Sequence, residues 1–419
     1  MTIETTRRES GSRTRTTAVR ADLGNREHAT KKKFAEIRRA LALSGAASLL
    51  SLVLVSRAVA AEWEVSVTGE YEAIFGYANS DVATYDEGEF DGVDVKIEGV
   101  IGFEANVQLD NGIEIGAVVE LEPLTDEDQI SDSYLFTESA FGRIELGARN
   151  SAGYIMSLAA PDVSLLGAND GQTGEFVPYD EEAGPVFTGA DLGEGTLNST
   201  FIENGGNSAA QRFTYFTPRI AGFQLGLSYA RDPNNDDNTQ VDLNDDPLNN
   251  IFDVGVNFVD SFGDIDVGVS GRWGIAADDS DGDEGNPQIY AFGAEIGFAG
   301  VTIGGSFSEQ NNAGASDGTS FDAGIAYETG PWAVSFTYLR GENFDDEVGN
   351  PDTPINTGQF GNDETLDQFV AGINYNLAEG VDIGVFGAYI DFDEDTGDEG
   401  GGGDDVDGFI IGTGIAIAF

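Results

Sequence analysis

The sequence predicts an all-β protein, a transmembrane antiparallel β-barrel of about sixteen strands. Apolar and polar residues alternate with a period of two in sixteen segments, short turns and long loops alternate between those segments, and no long apolar run follows residue 60. A period of two gives a strand one apolar and one polar face. A membrane-spanning helix would instead need about twenty consecutive apolar residues.

Residues 1–60 consist of an N-terminal extension, 1–30, which is basic and without a pattern, and an export signal, 31–60. The extension is either part of an unusually long leader or the result of a start codon placed too far upstream. A stretch rich in lysine and arginine precedes the apolar run 40–55, and the small residues Ala58 and Ala60 follow it. This order is typical of a secretory signal peptide. We expect cleavage after Ala60 and a mature barrel domain of residues 61–419. A single-span membrane anchor is the alternative.

The predicted mature chain is strongly acidic. The sequence has 20 Lys+Arg and 75 Asp+Glu, of which residues 1–60 hold 12 and 5; this leaves 8 basic and 70 acidic residues and a net charge near −62. Such a charge repels nucleic acid, so none is expected as a partner. Cysteine is absent and the single histidine, His28, lies in the leader. Catalytic triads and ordinary zinc sites need these residues, so we expect neither an enzyme nor a cofactor.

The strands follow from the alternation. In residues 63–77 the apolar side chains from Trp63 to Tyr77 mostly occupy odd positions, and residues 406–419 alternate in the same way up to Phe419. The predicted strands are 63–77, 93–109, 113–122, 133–141, 142–149, 211–217, 223–231, 250–258, 264–274, 288–298, 301–309, 320–329, 332–340, 365–377, 381–391 and 406–419.

The connections favour a membrane barrel. Seven short turns alternate with eight long loops, the asymmetry of bacterial outer-membrane barrels, whose periplasmic turns are short and whose outer loops are long. Aromatic residues such as Trp63, Trp332 and Tyr389 lie near strand ends, as expected at a lipid headgroup boundary. A soluble β-sandwich, which buries its apolar face, is the alternative.

Three stretches resemble a known family. Gly408–Phe419 is similar to the carboxy-terminal signal of outer-membrane barrels, and residues 140–149 and 212–226 are similar to stretches of the Gram-negative general porins. The resemblance implies a location in the Gram-negative outer membrane, contact with its lipid, and recognition of Phe419 by the barrel-assembly machinery. It also implies a homotrimer in which the third long loop of each barrel folds into the pore.

The segment 150–210, which we call L3, is the longest loop and has the position of that third loop. Its carboxylates are expected to form one side of a pore constriction: Asp162, Asp170, Glu175, Asp180, Glu181 and Glu182. The family carries basic residues on the facing wall, and parity assigns this role to Lys96, Arg143, Arg149, Arg212 and Arg272. A transverse field between the two sets would orient dipolar solutes. The alternative is that the arginines pair locally with neighbours such as Glu145.

We expect a water-filled channel for passive diffusion of small hydrophilic solutes and ions. It should prefer cations, because carboxylates of lumen parity outnumber the bases. They are Glu70, Glu72, Glu98, Glu104, Glu114, Glu120, Asp264, Asp266, Asp322 and Glu328. A surface adhesin or structural anchor with a blocked lumen is the alternative. No metal is expected, and Asp279, Asp281 and Asp283 are only a weak calcium candidate, because the glycine and terminal glutamate of an EF-hand loop are missing.

Overall fold

The computed structural model describes residues 62–80, 91–123, 130–169, 172–177, 197–203, 210–232, 248–278, 286–311, 317–344, 363–395 and 406–419. The chain divides into two units, Met1–Ala61 and Glu62–Phe419, and every described residue belongs to the second. The predicted leader and its cleavage position lie outside the described residues.

Sixteen strands form one closed antiparallel barrel, each strand paired with its sequence neighbours and β1 with β16. The strands are β1 (Glu64–Ser80), β2 (Gly92–Gln108), β3 (Glu114–Leu121), β4 (Ile130–Ser139), β5 (Gly142–Ala148), β6 (Gln211–Phe216), β7 (Phe223–Ala230), β8 (Leu248–Phe262), β9 (Ile265–Asp278), β10 (Gln288–Phe298), β11 (Val301–Asn311), β12 (Asp317–Thr329), β13 (Trp332–Phe344), β14 (Asp363–Ala378), β15 (Val381–Asp395) and β16 (Val406–Ala418).

The predicted fold class and all sixteen predicted strands are confirmed. Several strands are longer than predicted: β15 continues to Asp395, where Asp393 still pairs with Thr365 of β14. The sequence does not reveal such extensions. The acidic residues beyond the apolar segment lack the apolar–polar alternation, even though the backbone hydrogen bonds to the neighbouring strand continue.

The short turns close tightly and define one end of the barrel, the short-turn end. In two of them, Ala221-Gly222 and Ala299-Gly300, both central residues have positive φ, at 48° and 84° and at 52° and 82°. This is the type I′ geometry, whose twist matches that of the flanking strands. At the opposite end, the loop end, long segments join the strands.

The outer face is apolar. Val65, Phe75, Ile97 and Ile411 are exposed by 70, 52, 53 and 56%. On the outside of β12–β15, rings form a series from Phe321 through Tyr338 and Phe369 to Tyr389, with centroids 5.6, 4.8 and 6.4 Å apart. An exposed apolar belt with aromatic rims suits acyl chains rather than water. The prediction that the apolar face looks outward is confirmed.

Within L3, the structure contains a helix α1 (Ala152–Met156) and a 3-10 helix (Gln172–Glu175). Neither these nor any other helix among the described residues is long and apolar enough to cross a membrane.

Candidate functional site

L3 runs along the inner wall of the barrel, bound by its backbone amides to inward-facing side chains. The bonds join Ala152 N to Ser228 Oγ (3.1 Å), Gly153 N to Asp253 Oδ1 (2.6 Å), Leu158 N to Ser270 Oγ (3.0 Å), Ala160 N to Asp322 Oδ1 (3.1 Å) and Val163 N to Ser335 Oγ (3.0 Å). The acceptors lie on β7, β8, β9, β12 and β13 in this order. Residues 152–163 of L3 therefore follow the wall.

Inward glycines let the backbone of L3 approach the wall. A Cβ at Gly293 would lie 1.9 Å from Leu158 O, and one at Gly341 would lie 1.7 Å from Leu197 O, distances that no side chain tolerates. We call the inward glycines at which an added Cβ would meet L3 the glycine track; they are Gly226, Gly255, Gly268, Gly293, Gly304, Gly324, Gly341, Gly372, Gly384, Gly408, Gly414 and Gly76. At Gly255, Gly293, Gly324, Gly341 and Gly372 the atoms met include the L3 backbone, and at the others they are side-chain atoms of L3. Each of β7 to β16 and β1 contributes at least one, so the path of the described part of L3 is built into the wall.

The inner face of the barrel is apolar on β1 and β13–β16, where L3 covers it. Leu166, Phe176 and Val177 of L3 belong to one buried cluster with wall residues of β1 and β13–β16. The wall members are Ile74, Ala78, Leu339, Leu366, Val370, Phe386, Ala388, Ile390, Phe392, Val406 and Ile410. This differs from the predicted polar inner face. Burial of these groups stabilises the docked loop by removing apolar area from water.

A buried ion network holds L3 to the wall near its start, at Ser151, and near its end, at Glu203. Arg272 of β9 donates from Nε to Asp253 Oδ2 (2.8 Å), and from Nη2 to Glu203 Oε2 (3.0 Å) and Ser151 Oγ (2.8 Å). Ser151 N donates to Glu203 Oε1 (2.6 Å), and Arg212 Nη1 lies 3.9 Å from Glu203 Oε2. Arg212 and Arg272 thus reach the barrel interior, as parity predicts, but they are buried under L3 and do not face the open lumen.

Two of the predicted constriction carboxylates are described, and they differ in role. Asp162 accepts from Ser335 Oγ (2.8 Å) and from Ser164 N (2.8 Å), so it anchors L3 to β13. Glu175 is exposed, and desolvation raises its pKa although Lys96 opposes the rise. The other predicted members, Asp170, Asp180, Glu181 and Glu182, lie outside the described residues.

The two arginines of β5 share one carboxylate. Arg143 Nε and Arg149 Nη1 lie 2.6 and 2.5 Å from Glu145 Oε1. Their guanidinium carbons lie 4.0 and 4.7 Å from the ring centroids of Phe136 and Tyr134 on β4. Cation–π contact of this kind fixes a guanidinium against the wall.

The remaining predicted base, Lys96, forms an ion pair with Asp94 (2.9 Å) and lies 5.5 Å from the ring centroid of Phe176. Each of the five predicted wall bases therefore has a carboxylate within 4.0 Å. For Lys96, Arg143 and Arg149 this carboxylate is a near neighbour in sequence, as in the alternative, whereas the partners of Arg212 and Arg272 are distant in sequence.

Asp253 and Glu203 were missed by the sequence reasoning. Asp253 has lumen parity on β8, which could have marked it. Glu203 lies in a loop far in sequence from Arg272, so no local pattern reveals the contact. Within the described ranges no group of three or more acidic or histidine side chains could hold a metal ion. The calcium candidates Asp279, Asp281 and Asp283 lie outside those ranges.

The chain matches known proteins at two levels. A family model described as Gram-negative porin matches residues 46–395. Uncharacterized proteins of Rickettsia conorii and Rickettsia felis are 27 and 26% identical to it over 136 residues, which is 30% of this chain and 30% of each relative. The match thus spans under a third of the length of these curated relatives.

Solved structures share the fold. OmpT of Vibrio cholerae in its trimer form has a TM-score of 0.51 at 13% identity, over 85% of this chain and 99% of that one. An anion-selective porin from Comamonas acidovorans has a TM-score of 0.50 at 16% identity, over 85% of this chain and 100% of that one. At such identities the likeness concerns the barrel architecture alone.

Proposed function

The chain belongs to the Gram-negative porins, and from this premise we propose that it forms a water-filled outer-membrane channel for passive diffusion of small hydrophilic solutes and ions. The outer membrane is the location of this family, and the exposed apolar belt fits that lipid environment.

The observation that carries the proposal is the course of L3. Its described bonds and apolar contacts fall mainly on β7–β16 and β1, so the loop narrows the lumen from one side. On the other side, Arg143, Arg149 and Lys96 keep 27, 25 and 24% of their side-chain surface accessible. We infer that the passage runs between the described part of L3 and β2–β5, where these charged side chains would line it, as a diffusion channel requires.

Cation preference is part of the proposal. The wall bases are paired with carboxylates, while Glu70 and Glu328 are exposed on strands at positions of lumen parity. Unbalanced negative charge along a narrow passage concentrates cations and repels anions. The anion selectivity named for the Comamonas acidovorans protein does not transfer at 16% identity.

We also propose that the protein is a homotrimer that meets outer-membrane lipid, with Phe419 recognised by the barrel-assembly machinery. The trimer form of the Vibrio cholerae relative supports the oligomeric state through shared architecture. Within the barrel, Phe419 closes the seam, since Phe419 N and Gly69 O are 3.0 Å apart.

An adhesin or anchor with a blocked lumen is not favoured, because the described part of L3 lies against the wall. The family and the fold indicate a channel rather than an enzyme. Planar-bilayer recording of the purified protein tests the proposal. We expect large ohmic conductance steps in groups of three, and a protein that inserts without conductance would refute it.

A further inference from the structure

A cavity of 560 Å³ lies at the short-turn end between α1 and the inner faces of β4–β8. This volume falls within the range of small-molecule sites, roughly 300–1,000 Å³, and far exceeds the about 30 Å³ of one water. Ile155 and Met156 of α1 form its apolar side, and charged residues of the wall form its polar side.

Two buried acceptors in the lining have no hydrogen-bond donor. Glu145 keeps only 3% of its side chain accessible; its Oε1 accepts from Arg143 and Arg149, whereas its Oε2 has no partner. Asn257 is 8% exposed; its Nδ2 donates to Met156 O (3.2 Å), whereas its Oδ1 has no partner. Buried polar atoms are nearly always paired, so this wall of the cavity is suited to a ligand that donates hydrogen bonds.

Basic residues are concentrated at the same cavity. Three of the eight basic residues of the mature chain line it: Arg143, Arg149 and Arg219. Arg219 donates to Gly222 O (2.7 Å) and Gln224 Oε1 (2.9 Å), and no carboxylate of the described residues lies within 4.0 Å of it. A guanidinium has five N–H donors in a planar fork. Arg219 therefore retains donors for a carboxylate from outside the protein.

The charges select the class of ligand. A solute of net negative charge is repelled by the acidic lumen. A simple cation meets three arginines at the cavity and only two glutamates, Glu138 and Glu145, which already pair with Arg143. A zwitterion has no net charge to be repelled and offers both an ammonium for Glu145 and Asn257 and a carboxylate for Arg219. We infer that this cavity binds zwitterionic solutes, namely amino acids with apolar side chains, whose side chain contacts Ile155 and Met156. The inference rests on the proposed channel, through which the solute arrives.

L-Leucine is the probe that tests this site. Its two analogues are 4-methylpentanoate, which lacks the ammonium, and 3-methylbutylamine, which lacks the carboxylate. Affinity is measured by calorimetry on the purified, detergent-solubilised protein and by current blockade in planar bilayers. We expect saturable leucine binding, at least tenfold tighter than that of either analogue. Arg219→Gln and Asn257→Leu should each weaken leucine binding at least tenfold.

Arg231→Gln is the matched control, because Arg231 is an exposed arginine directly after the other end of β7. It should bind leucine like the unaltered protein. Equal affinities for leucine and both analogues, or leucine binding that survives both cavity substitutions, would overturn the site. Conductance without leucine binding would leave the channel standing, whereas leucine binding without any conductance would support the site and refute the channel.

Discussion

Replacing Arg272 by methionine should release L3 from the wall. The side chains of Asp253 and Glu203 are only 2 and 4% accessible, so the substitution leaves two buried carboxylates without their shared base. Breaking a buried ion pair by removing one partner costs about 3–5 kcal/mol. At about 1.4 kcal/mol for each factor of ten, the ratio of docked to undocked loop falls roughly one hundred to several thousand-fold.

Amide hydrogen exchange of residues 151–163 measures that ratio in the assembled barrel, and single-channel recording reports the same event as larger current noise. Arg340→Met is the control, because Arg340 pairs with Glu342 (2.8 Å) and Asp367 (2.7 Å) while a third of its side chain is accessible. Exposed pairs contribute about 0–1 kcal/mol.

The double variant that adds Asp253→Asn should recover part of the lost protection, since it removes one of the two stranded charges. If Arg272→Met changes exchange in residues 151–163 no more than Arg340→Met does, the buried ion network does not hold the loop. The reasoning from burial is then refuted.

Three further predictions concern the pore. A salt gradient across the bilayer should give a reversal potential of cationic sign, and an anionic sign at low salt would contradict the proposed selectivity. Glu175 is exposed, but partial desolvation of its carboxyl raises its pKa, so this group should lose its charge at higher pH than an ordinary glutamate. As pH falls through that raised pKa, cation preference should therefore decline and L3 docking should strengthen. Glu175→Gln should remove the part of both changes that Glu175 contributes, and a pH profile identical to that of the unaltered protein would count against the assignment. Gly293→Ala should shift L3 and alter conductance, at a cost in stability of about 1–3 kcal/mol. Gly271→Ala, whose Cβ would meet nothing nearer than 3.7 Å, should do neither. Equal conductance in the two variants would show that L3 accommodates the new side chain without changing the pore.

The barrel was predictable because each strand carries its own signal. The alternation in β1 and β16 fixes which side chains face lipid, and every short turn is visible as a local run of turn residues. Closure then follows, since antiparallel neighbours joined by short turns leave only the first and last strands to pair. Strand ends were less accurate, because ladder bonds beyond the membrane need no apolar residue.

The site was only partly predictable, because its contacts join residues distant in sequence. Parity assigned Arg272 to the inner face of β9, but its partner Glu203 is 69 residues away. A period of two cannot show whether an inward side chain meets water or a loop. The same limit applies to Ile390 and Ile410, inward apolar residues that look misplaced until L3 covers them.

The glycine track has a consequence for how such pores can diversify. Because the described part of L3 packs against glycines in each of eleven strands, changing the loop alone cannot freely alter its course. A loop transplanted from a related barrel would collide with side chains wherever the recipient lacks a matching gap. A change of pore diameter among related barrels would therefore require paired substitutions, one in L3 and one in the strand beneath it.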